Sequence, residues 1–213
     1  MRRGRGSGLF DAPPREATIA KRPDRRPERT RQALIAALID LILERGYEGL
    51  TVDDVARRAN VGRSTLYAHF GGLEGVLKQA MTRPSLRFAE LVDLPLTSAD
   101  LVPWLEHFKD QRKRNRVFFV PPLRGLWVRR LAELLEPRLE ALASRQSRAA
   151  PLLPWSFVAT LLAENQLALV ANWLALRLST PSEAIAEAMI VMTRATVDAL
   201  APAGPDSREE REA

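Results

Sequence analysis

The segment "VGRSTLYAHF", residues 61–70, gathers an Arg, two hydroxyl side chains, a Tyr and a His, with apolar positions spaced for a helix. On a wheel turning about 100° per residue, Leu66 and Phe70 fall together and mark an inward side. Opposite them stand Ser64 and Ala68, both small. Thr65 and His69 flank that small face on one side, Arg63 and Tyr67 on the other. A helix of this profile can approach a wide groove closely, because its leading face has little bulk. The major groove of double-stranded DNA admits a helix and exposes base edges to it. Arg63, in the first turn, suits a bidentate contact to guanine, or failing that a phosphate. Thr65, Tyr67 and His69 suit phosphates on the groove walls, together with backbone N–H groups at the helix start.

Such a helix works only if other elements hold it. From Thr30, "TRQALIAALIDLILERGYEGL" is strongly helical, with Leu34, Ala37, Leu38, Leu41 and Ile42 on one apolar face. Gly46 ends that helix, and Arg45 sits favourably at its negative end. In "TVDDVARRANVG", Thr51 is a good N-cap, and Asp54 supplies a capping-box acid. Val52, Val55 and Ala56 face inward over two turns. Asn60 tolerates the left-handed conformation a tight turn requires, and Val61 sets the entry to the next helix. The pattern is helix, short helix, tight turn, short helix: a helix-turn-helix with a supporting first helix.

With these residues in view, 28–77 resembles the N-terminal DNA-binding domain of the TetR (tetracycline-repressor-like) family of transcriptional regulators. The resemblance rests on "RGYEGLTVDDVARRANVGRSTLYAHF", which has a Gly-aromatic helix end, a Thr cap and a closing Thr-apolar-Tyr-x-His-Phe. It implies that Thr51, Arg63, Ser64, Thr65, Tyr67 and His69 contact DNA. Two positions depart from the family pattern. Asn60 stands where Gly is usual, which is physically mild. Leu73 stands where a Lys commonly contacts a phosphate, so one backbone contact is in doubt. The basic segment before Glu28 offers a substitute, by minor-groove insertion, although a solubilising tail explains that segment as well.

The remainder is helical too, giving an all-α fold. "LEGVLKQAM" opens a fourth helix that Pro84 is expected to kink or split. "SADLVPWLEHFKDQRKRN" forms a fifth. "PPLRGLWVRRLAELLEPRLEALASRQ" reads as two helices interrupted at Pro137. Two more follow, each with Pro in the first turn. In the first of these, Leu161, Leu162, Leu167, Leu169, Val170, Trp173, Leu174 and Leu176 leave almost no polar face, as in a helix buried on more than one side. Ile185, Met189, Met192, Thr196 and Ala199 make a second stripe. The resemblance implies that these last two helices pair with their copies in a homodimer. Independently, one short reading helix covers few base pairs, and two-fold pairing on a palindromic operator is the usual remedy.

The expected organisation is a disordered basic arm at 1–27, a helix-turn-helix domain at 28–77, a helical effector-binding and dimerisation domain at 78–202, and a disordered tail at 203–213. The family's C-terminal domain binds a small molecule and loses DNA affinity as a result. Trp104, His107, Phe108, Phe118, Trp127, Asn165, Gln166 and Trp173 are the candidates for that pocket, each also explicable as core. Asn165 and Gln166 stand out because polar groups inside an apolar helix need partners, and few polar groups among apolar walls describe a ligand site. The implied effector is mostly hydrophobic.

Composition narrows the alternatives. The chain has 213 residues and a formal charge of +6, of which eight basic and three acidic residues lie within 1–27. An excess concentrated at one end fits a polyanion-seeking arm more than a generally basic protein. There is no Cys and there are two His, so thiolate chemistry is excluded and an imidazole metal site is not expected. No cofactor is expected. No paired carboxylates, Gly-rich phosphate loop or His-Glu metal spacing argue for an enzyme; Glu106, His107 and Asp110 come nearest and read as surface decoration. No secretory signal or uninterrupted run of 18 apolar residues occurs, which fits a cytoplasmic protein without a membrane span. The rival to a ligand-responsive repressor is a regulator or architectural DNA-binding protein of the same fold without an effector.

Overall fold

A computed structural model describes residues 25–175 and 180–202. The tail predicted at 203–213, most of the arm predicted at 1–27, and Leu176 lie outside the described residues. Nine α-helices and two 3-10 turns are found among them, and no strand. The helices are α1 (Arg25–Arg45), α2 (Val52–Arg58), α3 (Arg63–Phe70), α4 (Leu73–Ala89), α5 (Ser98–Asp110), α6 (Arg112–Asn115), α7 (Leu123–Arg145), α8 (Trp155–Ala175) and α9 (Ser182–Leu200). The chain divides into two compact units between Arg83 and Pro84, within α4.

In the first unit, α1 begins three residues before the expected start of order, so Arg25, Arg26 and Pro27 are helical. A proline is tolerated there because N–H groups of the first turn have no intrahelical partner. Leu34, Leu38 and Ile42 of α1 are buried against a core that includes Val55, Leu66, Val76, Leu77 and Met81. Arg31 of α1 lies with its guanidinium 5.1 Å from the centre of the Phe70 ring, tying α1 to the end of α3.

One sequence expectation fails in the second unit. Pro137 does not interrupt α7, which runs unbroken from Leu123 to Arg145. Pro84 lies inside α4 without splitting it. A proline removes one backbone hydrogen bond and crowds the preceding turn. In α7, burial of Leu131, Leu135 and Leu139 on one face outweighs that local cost. The prolines expected inside the first turns of α8 and α9 lie one step earlier. Pro154 directly precedes α8, and Pro181 is the N-cap of α9.

The core is built where α7 packs on α8, and where α9 packs on both α5 and α8. Phe88, Phe108, Phe119 and Trp127 meet at its centre, with ring centroids 4.9 Å apart for Phe119 and Trp127 and 6.1 Å for Phe88 and Phe108. The stripe read on α9 needs revision. Ile185 and Met189 are buried, but Met192 and Thr196 are half-buried and Ala199 is exposed. The buried face runs through Ser182, Ala186, Ile190, Thr193 and Val197 instead, roughly a quarter turn further round the helix.

Candidate nucleic-acid interface

The second helix of the first unit is fixed by a reciprocal cap. Thr51 Oγ1 accepts from the Asp54 backbone N–H at 3.2 Å, and the Thr51 N–H donates to Asp54 Oδ2 at 3.0 Å. The Thr51 hydroxyl also donates to Asp54 Oδ2, at 2.7 Å. Arg45, from the end of α1, adds its charge at 2.8 Å. The Thr51 hydroxyl, followed by Arg45, holds the Asp54 carboxyl at about 2, against an ordinary 3.8. This acid therefore joins the end of α1 to the start of α2.

The turn that follows uses the left-handed region. Asn60 has φ 54°, and the Val61 N–H returns to the Ala56 carbonyl at 3.0 Å. Asparagine adopts this conformation more readily than most residues, because its short side chain bonds locally. Gly62 then starts α3, and Gly71 ends it with φ 71°. A further glycine has a different role. A Cβ on Gly75 would lie 1.8 Å from the Phe70 carbonyl oxygen, so the start of α4 can sit against the end of α3 only without a side chain there.

α3 carries the sequence-derived profile. Leu66 is wholly buried, while Arg63, Ser64, Tyr67 and Ala68 are exposed, and Thr65 and His69 are half-buried at the flanks. Phe70 is half-buried, and Tyr67 is 49% exposed. Thr51 is exposed, but its N–H and hydroxyl are both engaged by Asp54. Leu73 opens α4 half-buried, as an apolar residue at that position would be. One relationship was not legible in the sequence: Arg63 Nε lies 2.8 Å from Asp53 Oδ1, pairing the first residue of α3 with the first turn of α2. Residues ten apart across an irregular turn share no periodicity that would signal it.

The candidates in the second unit do not all converge. Phe108 and Trp127 belong to the central aromatic cluster, and Phe118 is buried near them in sequence on the 3-10 turn. Gln166 is wholly buried, and its Nε2 donates to the Phe88 carbonyl at 3.2 Å and to Thr193 Oγ1 at 3.0 Å. Its Oε1 has no hydrogen-bond partner. Asn165, expected beside it, is half-buried, because neighbours on a helix point about 100° apart. Trp104 is buried on α5 and His107 half-buried. The Trp173 indole donates to the Thr180 carbonyl at 3.1 Å, bracing the C-terminal end of α8. Glu106, considered above as a chemical group, accepts from Ser182 and pairs with Lys109, and these contacts, Ser182 foremost, lower its pKa. That arrangement is structural.

The first unit is thus a helix-turn-helix domain, and the chain as a whole is an all-helical protein of the kind that carries one in front of a helical bundle. Residues 34–80 match the model for the bacterial regulatory proteins of the tetR family. The HTH-type transcriptional regulator YxbF of Bacillus subtilis is 37% identical over 83 residues, which is 38% of this chain and 21% of YxbF. The biofilm operon icaADBC HTH-type negative transcriptional regulator IcaR of Staphylococcus aureus is 35% identical over 48 residues, 22% of this chain and 26% of IcaR. These matches therefore span about a quarter of each curated relative's length. A TetR transcriptional regulator from Streptococcus agalactiae superposes with a TM-score of 0.50 at 26% identity, over 80% of this chain and 96% of that one. Residues 34–80 thus carry a domain of the TetR family's N-terminal type, and the chain shares its fold, over 80% of its length, with a TetR transcriptional regulator.

Proposed function

We propose that this protein is a transcriptional repressor that binds a palindromic operator as a homodimer and is released from it by a small, mostly hydrophobic effector. The observation that carries the reading is the surface of α3: a buried Leu66 behind, small Ser64 and Ala68 in front, and Arg63 and Tyr67 exposed on one flank. In this reading Arg63 and Ser64 face base edges, and Thr65, Tyr67 and His69 hold phosphates. Thr51 reaches a phosphate only by giving up a bond to Asp54, so it acts first through the cap. The similarity to a negative regulator supports repression over activation.

The dimer rests on α8 and α9. α8 is long and apolar enough to cross a membrane, yet half of its apolar window is buried within its own chain. Its exposed residues, Phe157 among them, are open to a second copy. Phe157 on α8 and Val191 on α9 are 56% and 65% exposed, large apolar groups left to water in the isolated chain. The effector reading rests on Gln166, whose orphaned Oε1 offers a buried acceptor beside the aromatic cluster. An effector acts by binding better to a state whose reading heads are wrongly spaced.

A genome-fragment binding selection with the purified protein, at stated near-physiological salt, tests the core of this proposal. A recovered palindrome supports a dimeric operator-binding regulator. Recovery of salt-sensitive, sequence-blind binding alone would refute it.

A further inference from the structure

We infer that Asp53 is a positioning residue that sets the sequence preference of Arg63. The inference rests on the proposal that Arg63 reads a base. A guanidinium has two usable edges: one formed with Nε, the other by its two Nη groups. Asp53 Oδ1 stands 2.8 Å from Nε, which leaves the paired Nη groups for the O6 and N7 acceptors of a guanine. Arg63 and Asp53 are 65% and 47% exposed on their side chains, so the pair lies open to a ligand. A free arginine side chain has many rotamers to lose when it docks. Held by a carboxylate, it has already lost part of that freedom.

The position of the carboxylate has a second consequence. Asp53 lies in the first turn of α2, where the helix dipole favours a negative charge. The Asp53–Arg63 pair is neutral, so it adds little to sequence-blind attraction for phosphates. Asp53 therefore exchanges general affinity for discrimination. Removing its charge should move these two quantities in opposite directions, which neither a simple charge effect nor a loss of folding would do.

The test compares the wild type with Asp53→Asn, Asp53→Ala, Arg63→Ala, Arg63→Lys and the double variant Asp53→Asn/Arg63→Lys. Each is titrated against the selected operator, its single-base variants and an unrelated duplex, between 50 and 200 mM salt, roughly the range over which phosphate contacts dominate the slope. For Asp53→Asn, preference at the base identified by Arg63→Ala should fall about five- to tenfold, within the range of one bidentate contact. Binding to the unrelated duplex should tighten, and its log–log salt slope should steepen by about 1. In the Arg63→Lys background, Asp53→Asn should leave the preference where it stands, since lysine has no fork to orient.

Tighter binding to every duplex with unchanged preference would show Asp53 to be a repulsive charge only. Weaker binding to every duplex, with a lowered melting temperature, would reduce it to a helix-start residue. Either result overturns the inference while leaving base reading by Arg63 intact. Unchanged preference in Arg63→Ala would overturn both together.

Discussion

The carbonyl oxygen of Phe70 occupies the place where a side chain on Gly75 would begin, 1.8 Å from an ideal Cβ. The last residue of α3 and the first turn of α4 are in backbone contact, so the orientation of α3 against α4 depends on the missing methyl group. Gly75→Ala should destabilise the first unit by at least about 3 kcal/mol, the upper end of ordinary overpacking, because the obstacle is backbone. Chemical denaturation followed by circular dichroism measures this. A loss below about 1 kcal/mol would mean that the two helices part easily.

Asp54 predicts an acid-sensitive joint. Its carboxyl is depressed from 3.8 to about 2 by Thr51 and Arg45. A folded-state value below the unfolded one means that the stabilisation is fully present above 3.8 and is lost as the pH falls through that value toward about 2. Asp54→Asn should flatten this limb of the stability curve and leave the neutral-pH dependence unchanged. Melting temperatures measured across that window for both proteins decide it.

At the proposed DNA surface, Tyr67→Phe and Thr65→Ala should weaken binding to all sequences about equally, each by about 0.5–1.5 kcal/mol for a lost hydrogen bond. Arg63→Ala should also relax preference at particular bases, by about 1–3 kcal/mol. Competition titrations against single-base operator variants separate the two patterns.

Phe157→Glu and Val191→Glu should leave the fold intact, since both positions are exposed. Each should raise the dimer dissociation constant at least about thirtyfold, as loss of a buried interface anchor does. Sedimentation equilibrium reads the change directly. Dimers of undiminished strength in both variants would place the contact elsewhere.

Pro137 is exposed within the unbroken α7. Pro137→Ala should restore a backbone hydrogen bond and relieve the preceding turn, raising stability by about 1–3 kcal/mol. A melting temperature equal to or below that of wild type would show that the proline costs the helix nothing at this position.

What the sequence determined by itself was local. The Thr51–Asp54 cap, the left-handed Asn60 and the opposition of Leu66 to Ser64 and Ala68 all lie within a turn or two of chain. Backbone geometry at that range dictates which groups can meet, so residue type and spacing suffice. Tertiary structure decided matters in which distant surfaces compete. The continuity of α7 through Pro137 depends on leucines buried against other helices. The burial of Gln166 but not Asn165 depends on which side of α8 receives Phe88 and Thr193. The pairing of Asp53 with Arg63 and the clearance at Gly75 depend on how α2, α3 and α4 come together. A helical pattern states which face is apolar. Which neighbour covers that face, and which polar group is then left to find a partner, follows only from packing.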